Sequence, residues 1–247
     1  MTADSQFRTT RWSVVTASKG ADPAARAALD ELCTAYWFPL YAFLRRGGRG
    51  DEDALELVQD FLAGLLEGGS LAGADPDVGR FRSYLIGALQ NHVANDRRSA
   101  RAEKRGGGRV ASLDLNAARE AAARRYRPGA GAERSPREEF ERSWALELVG
   151  RATAALREEY ESRGRGAVFE QLQDTLDGSD GGRTHAERAE VLECSIGAVK
   201  VAVHRMRQRL RELIRDEVSQ TVAGHEDVDE ELRVLGASLG TRTEDSA

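Results

Sequence analysis

No stretch of the sequence approaches the roughly 18 consecutive apolar residues that a membrane-spanning helix needs, and Met1 to Ser5 carry no basic-then-apolar export pattern. A cytoplasmic chain without membrane insertion is the expectation. Cysteine is scarce: Cys33 and Cys194 are the only two, far apart in sequence and each in an apolar helical pattern. That excludes a disulfide framework and predicts two buried thiols in a reducing compartment. No segment alternates apolar and polar residues with period two, so strands are not expected. Also missing are a zinc-ligand spacing, a nucleophile elbow and a phosphate-cradling glycine loop. Gly106-Gly107-Gly108 has no strand before it, and His92, His185, His204 and His225 are scattered. Asp51, Glu52 and Asp53 stand in a row at a helix start rather than at ligand spacing. An enzyme reading therefore has little support, and neither a cofactor, a metal nor a small-molecule substrate is implied.

What is present is charge, at 31% of 247 residues, beside 40% apolar and only 6% aromatic residues. This balance suits a helix-rich chain with one or two small cores. The net charge of -5 argues against nucleic acid when taken alone, but its distribution argues otherwise. Bases crowd into Arg97 to Arg109 and Lys200 to Arg215, acids into Asp51 to Glu56 and the tail beyond Asp216. One acidic docking surface and two basic surfaces follow.

Apolar residues at Leu29, Leu32, Cys33, Tyr36, Trp37, Leu40 and Leu44 have the spacing of a one-faced helix, which Pro39 is expected to kink or interrupt. After Gly47 to Gly50, Asp51-Glu52-Asp53 opens a second helix with Leu55, Val58, Phe61, Leu62, Leu65 and Leu66 on one side. A third carries Phe81, Leu85, Ala88, Leu89 and Val93 opposite a basic side. From 106 to 136 periodicity lapses into Gly, Ala, Arg and Ser, the composition of a linker. Beyond it a helix bearing Phe140, Trp144, Leu148 and Leu156 and a shorter one from Phe169 to Leu176 precede two more. The expected fold is all-α: helical domains at 7–105 and 137–219, a linker at 106–136 and an acidic tail at 220–247.

Thr184-His185-Ala186-Glu187 is a capping-box sequence and predicts a helix start. That helix should end near Leu192, turn at Glu193-Cys194, and pass to a longer helix capped by Ser195 and running through Arg215. Val199, Ala202, Val203, Met206, Leu210 and Leu213 would be buried, leaving Lys200, Val201, His204, Arg205, Arg207, Arg209 and Arg211 outward. This is the layout of a major-groove reading helix, with base contacts early and phosphate contacts later. Arg205 suits guanine, Lys200 guanine or phosphate, and Val201 a thymine methyl. A solvated basic helix packed on a bundle has the same pattern. Arg188 stands where such a first helix usually buries an aliphatic, which snorkelling would accommodate, and Glu193 where glycine often takes positive φ.

The run Thr184 to Ile214, most specifically Gly197-Ala198-Val199-Lys200, resembles region four of sigma-70 family transcription initiation factors of the extracytoplasmic-function type. Asp53 to Leu62 is similar to the family's Asp-Ala-x-Asp-Leu-x-Gln-Glu-x-Phe signature of region two, and Phe81 to Leu85 through Asn95 to Arg98 to its promoter-melting helix. The similarity runs from about Phe7, through Thr10 to Val15, to Gly240; Arg188, Glu193 and Glu56 depart from the pattern. The resemblance implies a bacterial sigma factor with core RNA polymerase and promoter DNA as partners, and it leaves room for an anti-sigma factor or other regulator. It implies that Asp53, Glu56, Gln59 and Asp60 dock on a basic coiled coil of the largest polymerase subunit. It further implies that the loop from Gly68 to Arg80 and the start of the next helix hold an unstacked base of the minus-ten element. Phe81 and Tyr84 would wall that pocket, although Phe81 suits the core better and Tyr84 suits either place equally, while Arg80, Arg82, Arg97 and Arg98 take phosphates. Lys200, Val201, His204 and Arg205, with Arg207 and Arg209, would read the minus-thirty-five element.

A stand-alone helix-turn-helix regulator is the alternative function; such dimeric proteins usually carry a dimerisation or sensor domain instead of an acidic docking helix and a basic melting helix. In the tail, Val228, Leu232, Leu235 and Leu239 recur at helical spacing, so Asp227 to Leu239 is expected to form a short amphipathic helix. Three roles stay open for it: a restraint on the basic face of Lys200 to Arg215, a solubilising tail, or a helix completing the second domain.

Overall fold

Helix α1, Pro23–Arg46, begins with proline in the first helical position, where its missing N–H is no loss. It runs through Pro39 without interruption. The lost hydrogen bond and ring clash cost about 3 kcal/mol, but Tyr36, Trp37, Leu40 and Tyr41 are all buried around it. At about 1.5–3 kcal/mol per fully buried large side chain, that burial outweighs the defect. The computed structural model describes residues 23–66, 80–99, 122, 125–127, 129, 131, 133–177, 182–219 and 226–240.

The described residues form α-helices joined by turns and one 3-10 segment, Gln173–Thr175, with no strand among them. After α1 come α2 (Asp51–Leu66), α3 (Phe81–Ser99), α4 (Pro136–Ser162), α5 (Gly166–Leu172), α6 (His185–Val191), α7 (Ile196–Ser219) and α8 (Glu226–Gly240). None is long and apolar enough to cross a membrane.

Contacts divide the chain into two units, one reaching Leu146 and resuming at Ser219, the other Glu147–Val218. The division falls inside α4, ten residues beyond the linker end expected at 136, and the tail groups with the first unit. Side chains explain this. Phe140 stacks on Tyr36 at 6.4 Å between ring centroids, and Trp144 lies under the Arg82 guanidinium at 4.7 Å. The first three turns of α4 therefore belong to the first core. A second capping box, Ser135 with Glu138, starts that helix: the Glu138 carboxylate accepts from the Ser135 N–H at 2.7 Å. Most of the segment expected as a linker lies outside the described residues.

In the first unit, α2 buries Ala54, Leu55, Leu57, Val58, Phe61, Leu62 and Leu65. Asp51 at its start accepts from Arg45 at 2.6 Å and from the Tyr41 hydroxyl. Burial, reinforced by that carboxylate, pushes the Tyr41 hydroxyl up to about 12. In the second unit, Ala152, Leu156 and Tyr160 of α4 meet Phe169, Leu172, Ala189, Val199, Val203, Met206, Leu210 and Leu213 in one apolar cluster. Cys33 is buried as expected, but Cys194 is exposed, because it lies in the turn between α6 and α7 rather than on a packed face.

Candidate nucleic-acid interface

The start of α6 carries the expected capping box. Thr184, extended at φ -73° and ψ 158°, accepts from the Glu187 N–H at 3.2 Å. Glu187 accepts in return from the Thr184 N–H at 2.7 Å and from the Thr184 hydroxyl at 3.0 Å, and these two bonds hold its carboxyl below the usual carboxylate range. The helix ends at Val191, and Glu193 takes φ 49°. The Cys194 N–H donates to the Ala189 carbonyl at 3.0 Å, closing the turn. Ser195 Oγ then accepts from the Ala198 N–H at 3.1 Å and starts α7. Glu193 holds this left-handed position at about 1 kcal/mol, the usual penalty for a residue with a Cβ.

Arg188 does not snorkel. Its side chain is 1% exposed and donates to the Gln171 carbonyl at 3.1 Å, the Arg183 carbonyl at 2.9 Å and the Asp174 carboxylate at 2.9 Å. Arg207 holds the same turn from the other helix, donating twice to the Thr175 carbonyl at 2.9 and 2.7 Å. Two arginines thus clamp the Gln171–Thr175 turn onto the helix-turn-helix, supplying donors to carbonyls that the end of α5 leaves unpaired.

Lys200, Val201, His204 and Arg205 are all exposed, Val201 at 49%, on the side of α7 opposite the buried Val199, Val203, Met206 and Leu210. Arg207 and Arg209, expected as phosphate contacts, are engaged within the unit. Arg209 makes a two-pronged pair with Glu159, its shortest contact 2.6 Å, and bonds Glu212 at 2.9 Å. A guanidinium so held meets a phosphate only by giving up its carboxylates.

The same pair makes the second unit sensitive to acid. The hydrogen bond from Arg209 holds the Glu159 carboxyl below its ordinary range, against the opposing effect of burial, and the carboxylates raise Arg209 further. A carboxyl depressed by folding stabilises above its unfolded value of about 4.3 and loses that contribution as pH falls through the folded value. Urea denaturation of the whole chain should show stability falling below about pH 5, and Glu159→Gln should flatten that decline. Identical pH slopes would show that the pair contributes nothing.

In the first unit, Asp53 and Glu56 are exposed and Gln59 and Asp60 half-buried, at three- and four-residue steps along the side of α2 opposite its core residues. Between α2 and α3 lies a hollow of about 450 Å³ lined by Phe61, Tyr84, Gly87, Ala88, Asn91, His92 and Asn95. The His92 ring meets Phe61 at 5.9 Å. Tyr84 is half-buried and burial raises its hydroxyl. Phe81 is a core residue, 1% exposed, edge-on to Tyr36 at 5.7 Å. Asn91, His92 and Asn95 were missed in the sequence, although with Tyr84 and Ala88 they follow one helix face at steps of three and four.

Arg80 is half-exposed at the start of α3, with side-chain exposure of 36%. Arg82 is not a surface cation. It is 3% exposed, donates to Glu141 at 2.6 Å and pairs with Glu231; burial lowers its pKa. The side chains of Arg97 and Arg98, and the segment 67–79 expected to frame the hollow, lie outside the described residues.

The chain matches no known protein family, no curated protein and no solved structure. Among the described residues no group of three or more His, Cys, Asp or Glu is placed to hold a metal ion.

Proposed function

We propose that the chain is a sigma factor of the sigma-70 family, extracytoplasmic-function type, which binds core RNA polymerase in the bacterial cytoplasm and directs promoter recognition, DNA melting and initiation without being an enzyme itself. The observation that carries the reading is the doubly capped helix-turn-helix, with Lys200, Val201, His204 and Arg205 together on the open face of its second helix. A helix so presented can enter the major groove with side chains suited to base edges.

Two features of the first unit favour a sigma factor over a stand-alone regulator. The exposed acids of α2 suit a basic protein partner. The hollow beside Tyr84 falls within the ~300–1,000 Å³ range of small-molecule sites, has room for an unstacked base, and offers both rings and amides to it.

Reconstitution with core RNA polymerase on a promoter library tests the reading: the chain should direct initiation from a defined subset, and binding of DNA without any effect on polymerase would favour the regulator. In the same assay Arg205→Ala should cost about 1–3 kcal/mol and relax preference at one upstream base pair. A uniform loss over all sequences would make Arg205 a phosphate contact instead.

A further inference from the structure

Helix α8 buries Val228, Glu231 and Leu235 along one side. A carboxylate in the middle of an apolar stripe is unusual, and here it faces two arginines. Glu231, 1% exposed, pairs with Arg82 and with Arg80 at 3.0 Å, while Glu230 lies 3.7 Å from Arg80. Arg82 is also held by Glu141 and the Trp144 ring. The tail helix thus reaches the first unit at the cations that begin α3, where Glu231 and, more loosely, Glu230 face them.

These are two of the residues to which the resemblance to sigma region two assigns phosphates of the opened strand. A phosphate can approach Arg80, which is partly open to solvent, but taking it from Glu231 removes half the compensation of a buried carboxylate. Arg82 cannot be reached while α8 is seated. A buried acid stripped of its cations is strongly unfavourable, so strand binding at both arginines and seating of α8 exclude each other.

We infer that α8 is a built-in competitor for single-stranded DNA, its Glu230 and Glu231 carboxylates occupying the arginines that a strand's phosphates would take. The inference rests on the sigma reading of the first unit. Being tethered, the helix competes at an effective concentration independent of dilution. Being no longer than Glu226–Gly240, it is marginal as an isolated helix and depends on this surface to stay formed.

The test uses the full chain and a fluorescent mixed-sequence single-stranded oligonucleotide. Glu230→Gln/Glu231→Gln should bind it roughly three- to tenfold more tightly than wild type at low salt, as expected if about a tenth to a third of the wild type is open. The gain should shrink as salt rises, and adding Arg80→Ala should remove it. Measurable but equal affinity of wild type and double variant overturns the inference and leaves the DNA reading standing. Failure of both proteins to bind any strand overturns that reading as well. A second measurement does not depend on the variants folding: saturating wild type with the oligonucleotide should speed hydrogen exchange in residues 228–239, and unchanged exchange there in a DNA-bound chain overturns the inference too.

Discussion

Reversing Asp53 and Glu56 to lysine together should weaken binding to core RNA polymerase by roughly a hundredfold or more, since like charges brought together across an interface cost several kcal/mol. Both side chains are exposed on α2, whose opposite side holds the core residues Val58, Phe61, Leu62 and Leu65. The fold should therefore survive; the loss of favourable charge at a helix start is worth about 0.3–1 kcal/mol per residue. Asp51 would be the wrong choice, because its carboxylate is committed to Arg45 and Tyr41 and its reversal would disturb the α1–α2 junction. Glu158→Lys/Glu161→Lys, two exposed changes on α4 that shift the charge by the same amount, serve as the control for net charge. A folded double variant that co-purifies with polymerase as well as wild type would remove α2 as the docking element.

The elements legible in the sequence were those with strong periodicity or explicit caps. The box at Thr184 and the Ser195 cap put both helices of the helix-turn-helix in register, and the buried set Val199, Val203, Met206, Leu210 and Leu213 follows from the spacing. Only Ala202, half-buried, departs from it. The positive φ at Glu193 was readable as well, from the place in the turn where glycine is common. The Ser135-x-x-Glu138 box was equally plain, with Pro136 in the first helical position, and the helix expected to begin near Pro136 starts there.

Arginine was the least legible residue. Arg82, Arg207 and Arg209 read as surface cations and Arg188 as a snorkelling side chain, yet each is bound within its own unit. A guanidinium has five donors and a long apolar stem, so its fate depends on carbonyls and carboxylates far away in sequence. Glu231 and Asp174 cannot be matched to their arginines by spacing alone. The tail shows the same limit: its amphipathic period was evident, but Glu231 on the buried side was not recognised as a contact, and the packing surfaces weighed for the helix lay in the second domain, whereas it groups with the first unit. The candidate site was therefore readable where it lies on one helix, as at Lys200, Val201, His204 and Arg205, and unreadable where it depends on pairing between helices.

Replacing Arg188 with alanine should be among the most damaging single changes in the second unit. The side chain is almost wholly enclosed, and its three hydrogen bonds go to two backbone carbonyls and a carboxylate. Truncation leaves the Gln171 and Arg183 carbonyls without this donor and opens a void beneath α6. An orphaned acceptor costs about 1–3 kcal/mol when buried and less at the half-buried Gln171 and exposed Arg183, and removing one partner of a buried pair costs about 3–5 kcal/mol. Asp174, 38% exposed, can turn to water, which places the expected loss near the lower end, about 3 kcal/mol. Arg188→Leu separates the contributions: it refills the void with the aliphatic more usual at such a position but restores no hydrogen bond, so it should lie between alanine and wild type. Asp174→Asn, which keeps both carbonyl bonds and removes only a partly solvated charge, should cost within about 1 kcal/mol. Urea denaturation, with hydrogen exchange of α6 to localise the change, measures all three. From least to most destabilised, the clamp predicts the order Asp174→Asn, then Arg188→Leu, then Arg188→Ala. A leucine variant as stable as wild type would mean that filling the space matters and the donors do not, and Arg188 would then be a substitute for an aliphatic residue rather than a bond between α6 and the Gln171–Thr175 turn.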